Sequence, residues 1–195
     1  MTRKEFQECI EVEVYKNEKL DPLRKILFKY VKSETNAVYL FRKMQYAASK
    51  SDPLHSIQEK FLKRKLAWRY GILASASAVI GIGLRFPHPT SIVIGTHVVA
   101  GENLYLYQNT TLGGARTGDV RKANQPRLGD HVTLFANSMV LGNVTVGNHV
   151  TIGANSCLLE SVPDHAVCVG SPAKCLHPKQ EQIDLQQGNT LLDMI

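Results

Sequence analysis

Seven histidines are the chain's main candidates for proton transfer near neutral pH, and one stands apart. His88 lies between Pro87 and Pro89, which hold its backbone rigidly. Counting back in sixes from Ile94 puts it where later segments place apolar residues or alanine. A titratable ring there is either a satisfied structural group or a general base able to take a proton from a hydroxyl. His97, His131 and His149 fall three places after an apolar anchor, at corners facing solvent, and the spacing stacks His131 on His149. Two imidazoles without a third ligand make a poor metal site, so turn chemistry is the plainer reading and no metal is expected. Cys9, Cys157, Cys168 and Cys175 form no Cys-x-x-Cys pair and read as buried thiols without disulfide or metal roles.

Positioning these groups is the task of a short repeat. Leu128, Leu134, Val140, Val146, Ile152 and Leu158 recur every six residues, and the same count runs back through Leu112, Leu106, Ala100 and Ile94. A second inward position, small or apolar, recurs four places after the anchors, at Val98, Leu104, Val132, Ser138, Val144, Val150, Ser156 and Val162. Helices would need apolar spacings of three and four, and a plain strand a period of two. Six residues make one short strand and a turn, and three such steps close a triangular coil whose neighbours stack at about 4.8 Å. The chain therefore reads as mainly β, a parallel β-helix centred on Ile80 to Val169. The period leaves its hand open. Between Leu112 and Leu128 ten residues exceed the period, so part of Gly113 to Arg127 must leave the coil as a polar, basic loop.

The first 70 residues read as helices. Asp21-Pro22 and Asp52-Pro53 each supply an N-cap with proline at the first helical position. Apolar stripes follow at Leu23, Ile26, Leu27, Tyr30 and Val31, and at Leu54, Ile57, Phe61 and Leu66, with a helix between them burying Val38, Phe41 and Met44. The division is an N-terminal helical region 1–72, a β-helical domain 73–174 and a C-terminal tail 175–195. Apolar residues make up 44% of the chain, enough for a core, and the net charge of +6 suits an anionic ligand or surface. No signal-peptide h-region or membrane-spanning stretch is present, so a cytoplasmic location is expected. Lys60, Lys63, Arg64, Lys65 and Arg69, beside Trp68 and Tyr70, could lie near an anionic membrane. No nucleic-acid module accompanies them, and a solvated helix face is the plainer reading.

The segments FPHPTSIVIG (Phe86 to Gly95), NTTLGG (Asn109 to Gly114), LGNVTVG (Leu141 to Gly147), IGANS (Ile152 to Ser156) and SVPDHAVCVGSPAK (Ser161 to Lys174), in that order, resemble the hexapeptide-repeat acetyltransferases. The similarity is to the branch holding serine acetyltransferase and the colanic acid and capsule O-acetyltransferases. It implies a left-handed β-helix, a homotrimer and acetyl-coenzyme A as co-substrate in the groove between protomers. It further implies His88 as general base, with Ala136, Ala154, Pro172 and Lys174 against the coenzyme.

The chain departs from the serine enzymes of that branch. Pro87 and Leu73 stand where they carry aspartates, and Asn124-Gln125 where they carry an Arg-His pair. An amino-acid acceptor would lose charged partners, whereas a neutral sugar hydroxyl could be held by Tyr107, Asn109, Asn124 and Gln125. O-acetylation of a sugar or polysaccharide precursor is therefore the leading expectation. Serine O-acetylation is the alternative, with Ile195 then available to insert into a cysteine synthase. A metal-binding or scaffolding hexapeptide protein is a third reading, against which the Gly-Ser-Pro-Ala-Lys turn and the basic loop both argue. A backbone carbonyl or Glu102 is the expected group orienting His88.

Overall fold

The computed structural model describes residues 1–176. Helix α1 (Arg3–Cys9) opens on a capping box between Thr2 and Glu5 and runs on as a π-helical turn, Ile10–Val14. Both Asp-Pro devices act as the sequence predicts. Asp21 accepts from the Arg24 N–H at 2.9 Å to start α2 (Pro22–Ile26), which continues as a second π-helical turn, Leu27–Val31. Asp52 accepts from the His55 N–H at 3.0 Å to start α4 (Pro53–Tyr70). Between them α3 (Ser33–Ala48) buries Val38, Phe41 and Met44. The two outer stripes behave differently from α3. Leu62, Leu66 and Tyr70 are the buried residues of α4, whereas Leu23, Ile26, Val31, Leu54, Ile57 and Phe61 stay exposed. No helix among the described residues is long and apolar enough to cross a membrane.

Among the described residues fourteen short strands, β1 to β14 in chain order, form three flat faces. Face one stacks β1 (Leu73–Ala74), β3 (Val93–Ile94), β6 (Thr111–Gly113), β9 (Met139–Leu141) and β12 (Cys157–Leu158). Face two stacks β2 (Val79–Ile80), β4 (Val99–Ala100), β7 (Arg127–Leu128) and β10 (Thr145–Val146). Face three holds β5 (Tyr105–Leu106), β8 (Thr133–Leu134), β11 (Thr151–Ile152), β13 (Val167–Val169) and β14 (Lys174–Leu176). All neighbouring pairs are parallel except β13 with β14. The anchors form vertical ladders, one running Ala74, Ile94, Leu112, Val140 and Leu158 through the core. The coil begins at Leu73, one strand before the Ile80 start expected from the repeat.

Register locates both irregularities. Ile94 sits beneath Leu112 at the regular spacing of eighteen, while Ala100 pairs with Leu128 at twenty-eight, so the ten surplus residues bulge out between β6 and β7. In the first coil Ala74 pairs with Ile94 and Ile80 with Ala100, each at twenty. Two further residues are therefore inserted there, after the bridge of Arg85 to Tyr105.

A buried ion pair fastens the helices to this coil. Glu13 takes two hydrogen bonds from Arg42, at 2.9 Å from Nε and 2.6 Å from Nη2, and Arg42 also donates to the carbonyls of Ile80 and Gly81 and to Gln45. All five guanidinium N–H groups are thereby used. The same carboxylate accepts from the backbone N–H groups of Gly83 and Leu84.

The cysteine expectation needs correction. Cys9 is buried, and that burial pushes its thiol pKa up, but Cys168 and Cys175 form a disulfide. After β13 the chain reverses at Gly170, where φ is +96°, and β14 returns antiparallel, setting Cys175 directly across from Cys168. The hexapeptide count gives no sign of this reversal, because the period ends there.

Candidate active site

The two-residue insertion in the first coil decides where His88 goes. The anchor preceding Ile94 is Phe86, 1% exposed, and not the residue six places back. His88 is consequently exposed, which corrects the inward position expected from the count. Its backbone is held between two prolines, and its carbonyl accepts from the Thr90 N–H at 2.7 Å. The imidazole meets the Tyr107 ring edge-on, centroids 5.8 Å apart, and Tyr107 stacks on Phe135 at 5.0 Å. Among the described residues no side chain hydrogen-bonds the imidazole. Glu102 lies on the edge between faces two and three, whereas His88 lies on the edge between faces three and one, so Glu102 does not orient it.

That His88 edge collects most of the residues singled out from the sequence. Tyr107 and Asn109 occupy its second coil, with Ala136 half-buried and Ala154 exposed in the coils above. At the top the Gly170 turn joins the same edge, with the Ala173 N–H donating to the Cys157 carbonyl, so Pro172 and Lys174 stand exposed there. Four coil steps separate His88 from this turn, roughly 19 Å at the normal strand spacing. Asn109 has a scaffold role as well: its amide donates to Asn137, which donates to Asn155, with φ near +59° at each corner.

Asn124 and Gln125 are elsewhere. They close the inserted loop on the edge between faces one and two. Asp119 organises this loop by accepting from the Ala115 and Arg116 N–H groups at 2.9 and 2.7 Å and from the Asn124 amide at 3.2 Å. The Asn124 and Arg116 bonds hold the Asp119 carboxyl below the usual carboxylate range. Gln125 is 2% exposed, wedged where a Cβ on Gly95 would collide with its Oε1, and neither amide atom has a hydrogen-bond partner among the described residues. Its side chain is packed under the loop and does not face an acceptor beside His88.

Two features escaped the sequence. Phe135 extends the aromatic ladder from Tyr107, twenty-eight residues on, a spacing readable only once the loop is subtracted. A cleft of about 300 Å³ also opens beside Pro87, lined by Lys16, Glu34, Arg85 and Tyr105 over Val38 and Phe86. The Arg85 guanidinium is steadied by the carbonyls of Glu13 and Val12 at 2.9 and 3.2 Å. Both signs of charge thus border the cleft, which reaches Pro87, the residue before His88, and they are supplied partly by the helical region.

On the edge between faces two and three, His131 and His149 do stack, and His165 joins them, at 4.6 and 4.9 Å with nearly parallel rings. Among the described residues no group of three His, Cys, Asp or Glu is placed to hold a metal.

Comparison with known proteins places this geometry. Residues 126–159 match the bacterial transferase hexapeptide (six repeats) family. A serine acetyltransferase of Staphylococcus xylosus is 43% identical over 102 residues, 52% of this chain and 46% of that protein. The mitochondrial serine acetyltransferase 3 of Arabidopsis thaliana is 36% identical over 118 residues, 60% of this chain and 30% of that protein. The chain therefore spans less than half the length of these curated relatives. Among solved structures, serine acetyltransferase of Neisseria gonorrhoeae superposes with a TM-score of 0.75 at 28% identity, covering 95% of this chain and 70% of that one. A serine acetyltransferase in complex with CoA gives 0.72 at 26% identity, covering 89% and 71%.

The coil is accordingly the left-handed parallel β-helix of hexapeptide-repeat transferases. The expectation of a sugar or polysaccharide acceptor is overturned, since these relatives and structures are serine acetyltransferases. Its premise was a lack of charged partners for an amino acid, and Lys16, Glu34 and Arg85 border the cleft at Pro87.

Proposed function

We propose that this chain transfers acetyl from acetyl-coenzyme A to the hydroxyl of L-serine, with His88 as general base. The observation that carries the reading is the exposed imidazole of His88, pushed out of the first coil, one residue after Pro87 in the lining of a cleft edged by Lys16, Arg85 and Glu34. A zwitterionic acceptor suits that cleft, with its carboxylate toward the cations and its ammonium toward Glu34. The acceptor hydroxyl gives its proton to the imidazole as its oxygen attacks the thioester carbonyl. Collapse of the tetrahedral species expels the coenzyme thiolate, which takes the proton back from the imidazolium. No covalent intermediate on the protein is needed.

The coenzyme runs along the edge above His88, where Ala136 and Ala154 let it approach the backbone and Lys174 offers charge to phosphate. The basic inserted loop rises from a different edge of the same protomer. A threefold assembly brings one protomer's loop against its neighbour's His88 edge, so a homotrimer completes the groove. The partner role considered for Ile195 falls outside the described residues.

Thiol release from acetyl-coenzyme A with L-serine tests the proposal. His88→Ala is expected to lower turnover by about 10²-fold or more while the protein stays folded. Absence of serine-dependent thiol release from the intact protein would overturn the acceptor, and undiminished turnover in the variant would overturn the base.

A further inference from the structure

Helix α4 carries an apolar line that nothing in the described fold covers. Leu54, Ile57, Phe61 and Trp68 are 73%, 65%, 64% and 82% exposed, and their spacing puts them on one helical face. The opposite face packs inward through Leu62, Leu66 and Tyr70. Lys60, Lys63, Arg64, Lys65 and Arg69 surround the line, while Glu59 is the only acidic residue within the helix. Phe61, Arg64, Lys65, Trp68 and Arg69 together line a shallow concavity of about 340 Å³, with the Arg64 guanidinium 5.8 Å from the Trp68 ring.

We propose that this face docks the protein on an anionic lipid bilayer. The apolar line is fitted to the boundary between headgroups and acyl chains, tryptophan is suited to that interface, and the flanking cations reach lipid phosphates while their stems cover apolar surface. A second copy pairing this face with its own α4 face is a poor occupant, because that would oppose two rows of cations and bury Arg64 against its counterpart. Nucleic acid would meet the cations but leave Leu54, Ile57 and Phe61 without a berth. The exposed stripe at Leu23, Ile26 and Val31 repeats the pattern, with Arg24, Lys25, Lys29 and Lys32 alongside.

Trp68 is the chain's single tryptophan, so its fluorescence reports this face directly. Full-length protein is mixed with vesicles of phosphatidylcholine alone or with added phosphatidylglycerol, then followed by emission and flotation. The expected result is a blue shift and co-flotation with the anionic vesicles, at least about tenfold tighter than with the zwitterionic ones and weakened by salt. Ile57→Glu with Phe61→Glu should abolish both signals without altering serine-independent properties such as the melting temperature. The proposal falls if neither signal appears, if the two lipids bind equally, or if an oligonucleotide shifts the emission and vesicles do not. It also falls if the shift occurs without lipid as protein concentration and molecular mass rise together, which would assign the face to a second copy.

Discussion

Removing the Glu13 carboxylate tests how the helical region holds the first coil, and with it His88. Arg42 is 1% exposed, and burial works against its charge, yet hydrogen bonding and attraction from Glu13 outweigh that and hold its pKa above the ordinary arginine value. Glu13→Ala would leave this guanidinium buried without its counter-ion, a change that typically costs about 3–5 kcal/mol. The N–H groups of Gly83 and Leu84, which donate to Glu13 at 2.9 and 3.0 Å, would also lose their acceptor. Each orphaned N–H adds about 1–3 kcal/mol at most, and because one carboxylate serves all three groups the losses overlap. The expected total is about 4 kcal/mol or more, a large part of the roughly 5–15 kcal/mol that separates folded from unfolded domains. Urea unfolding followed by far-ultraviolet circular dichroism measures it. Leu84 leads directly into Arg85, whose guanidinium also rests on the Glu13 carbonyl, so thiol release should fall together with stability. A loss under about 1 kcal/mol would show that solvent or relaxation replaces the pair and would refute the clamp.

Gly81→Ala should lower stability by about 1–3 kcal/mol, read as a drop in melting temperature, because the new Cβ would lie 2.6 Å from the Gly101 backbone and backbone in a stacked coil cannot give way. Asp119 has a folded pKa below the free value near 3.9, so its stabilisation of the inserted loop is full above about pH 4 and is lost as pH falls through the lower folded value. Hydrogen exchange at Ala115 and Arg116 should accordingly speed up in acid, and Asp119→Asn should speed it at neutral pH. Reducing the Cys168–Cys175 disulfide, or replacing both cysteines with serine, should destabilise the chain by about 2 kcal/mol, measured as a lower unfolding midpoint.

The repeat was readable because a solenoid writes its register into composition. Leu128, Leu134 and Val140 declare their inward direction one after another, since each must bury against the residue a whole coil away. The inserted loop was legible for the same reason, as a break in the count between Leu112 and Leu128. His88 was flagged by its proline neighbours, but its inward placement failed because the surplus of two residues lies in the coil where the count has least support. The exposed stripe on α4 could not be told from a core stripe, since periodicity fixes which residues share a face and not what the face meets.

By itself the sequence determined the three-sided coil, the place of its insertion and the caps that start α2 and α4, because these depend on neighbours or on a fixed repeat. Tertiary structure alone decided that His88 stands outside, that Lys16, Glu34 and Arg85 line one cleft with Pro87, that Glu13 grips Arg42, and that Cys175 folds back onto Cys168. Those pairings join residues from helix, first coil and final turn across separations that follow no period. Only the summed packing of the whole chain sets their distances.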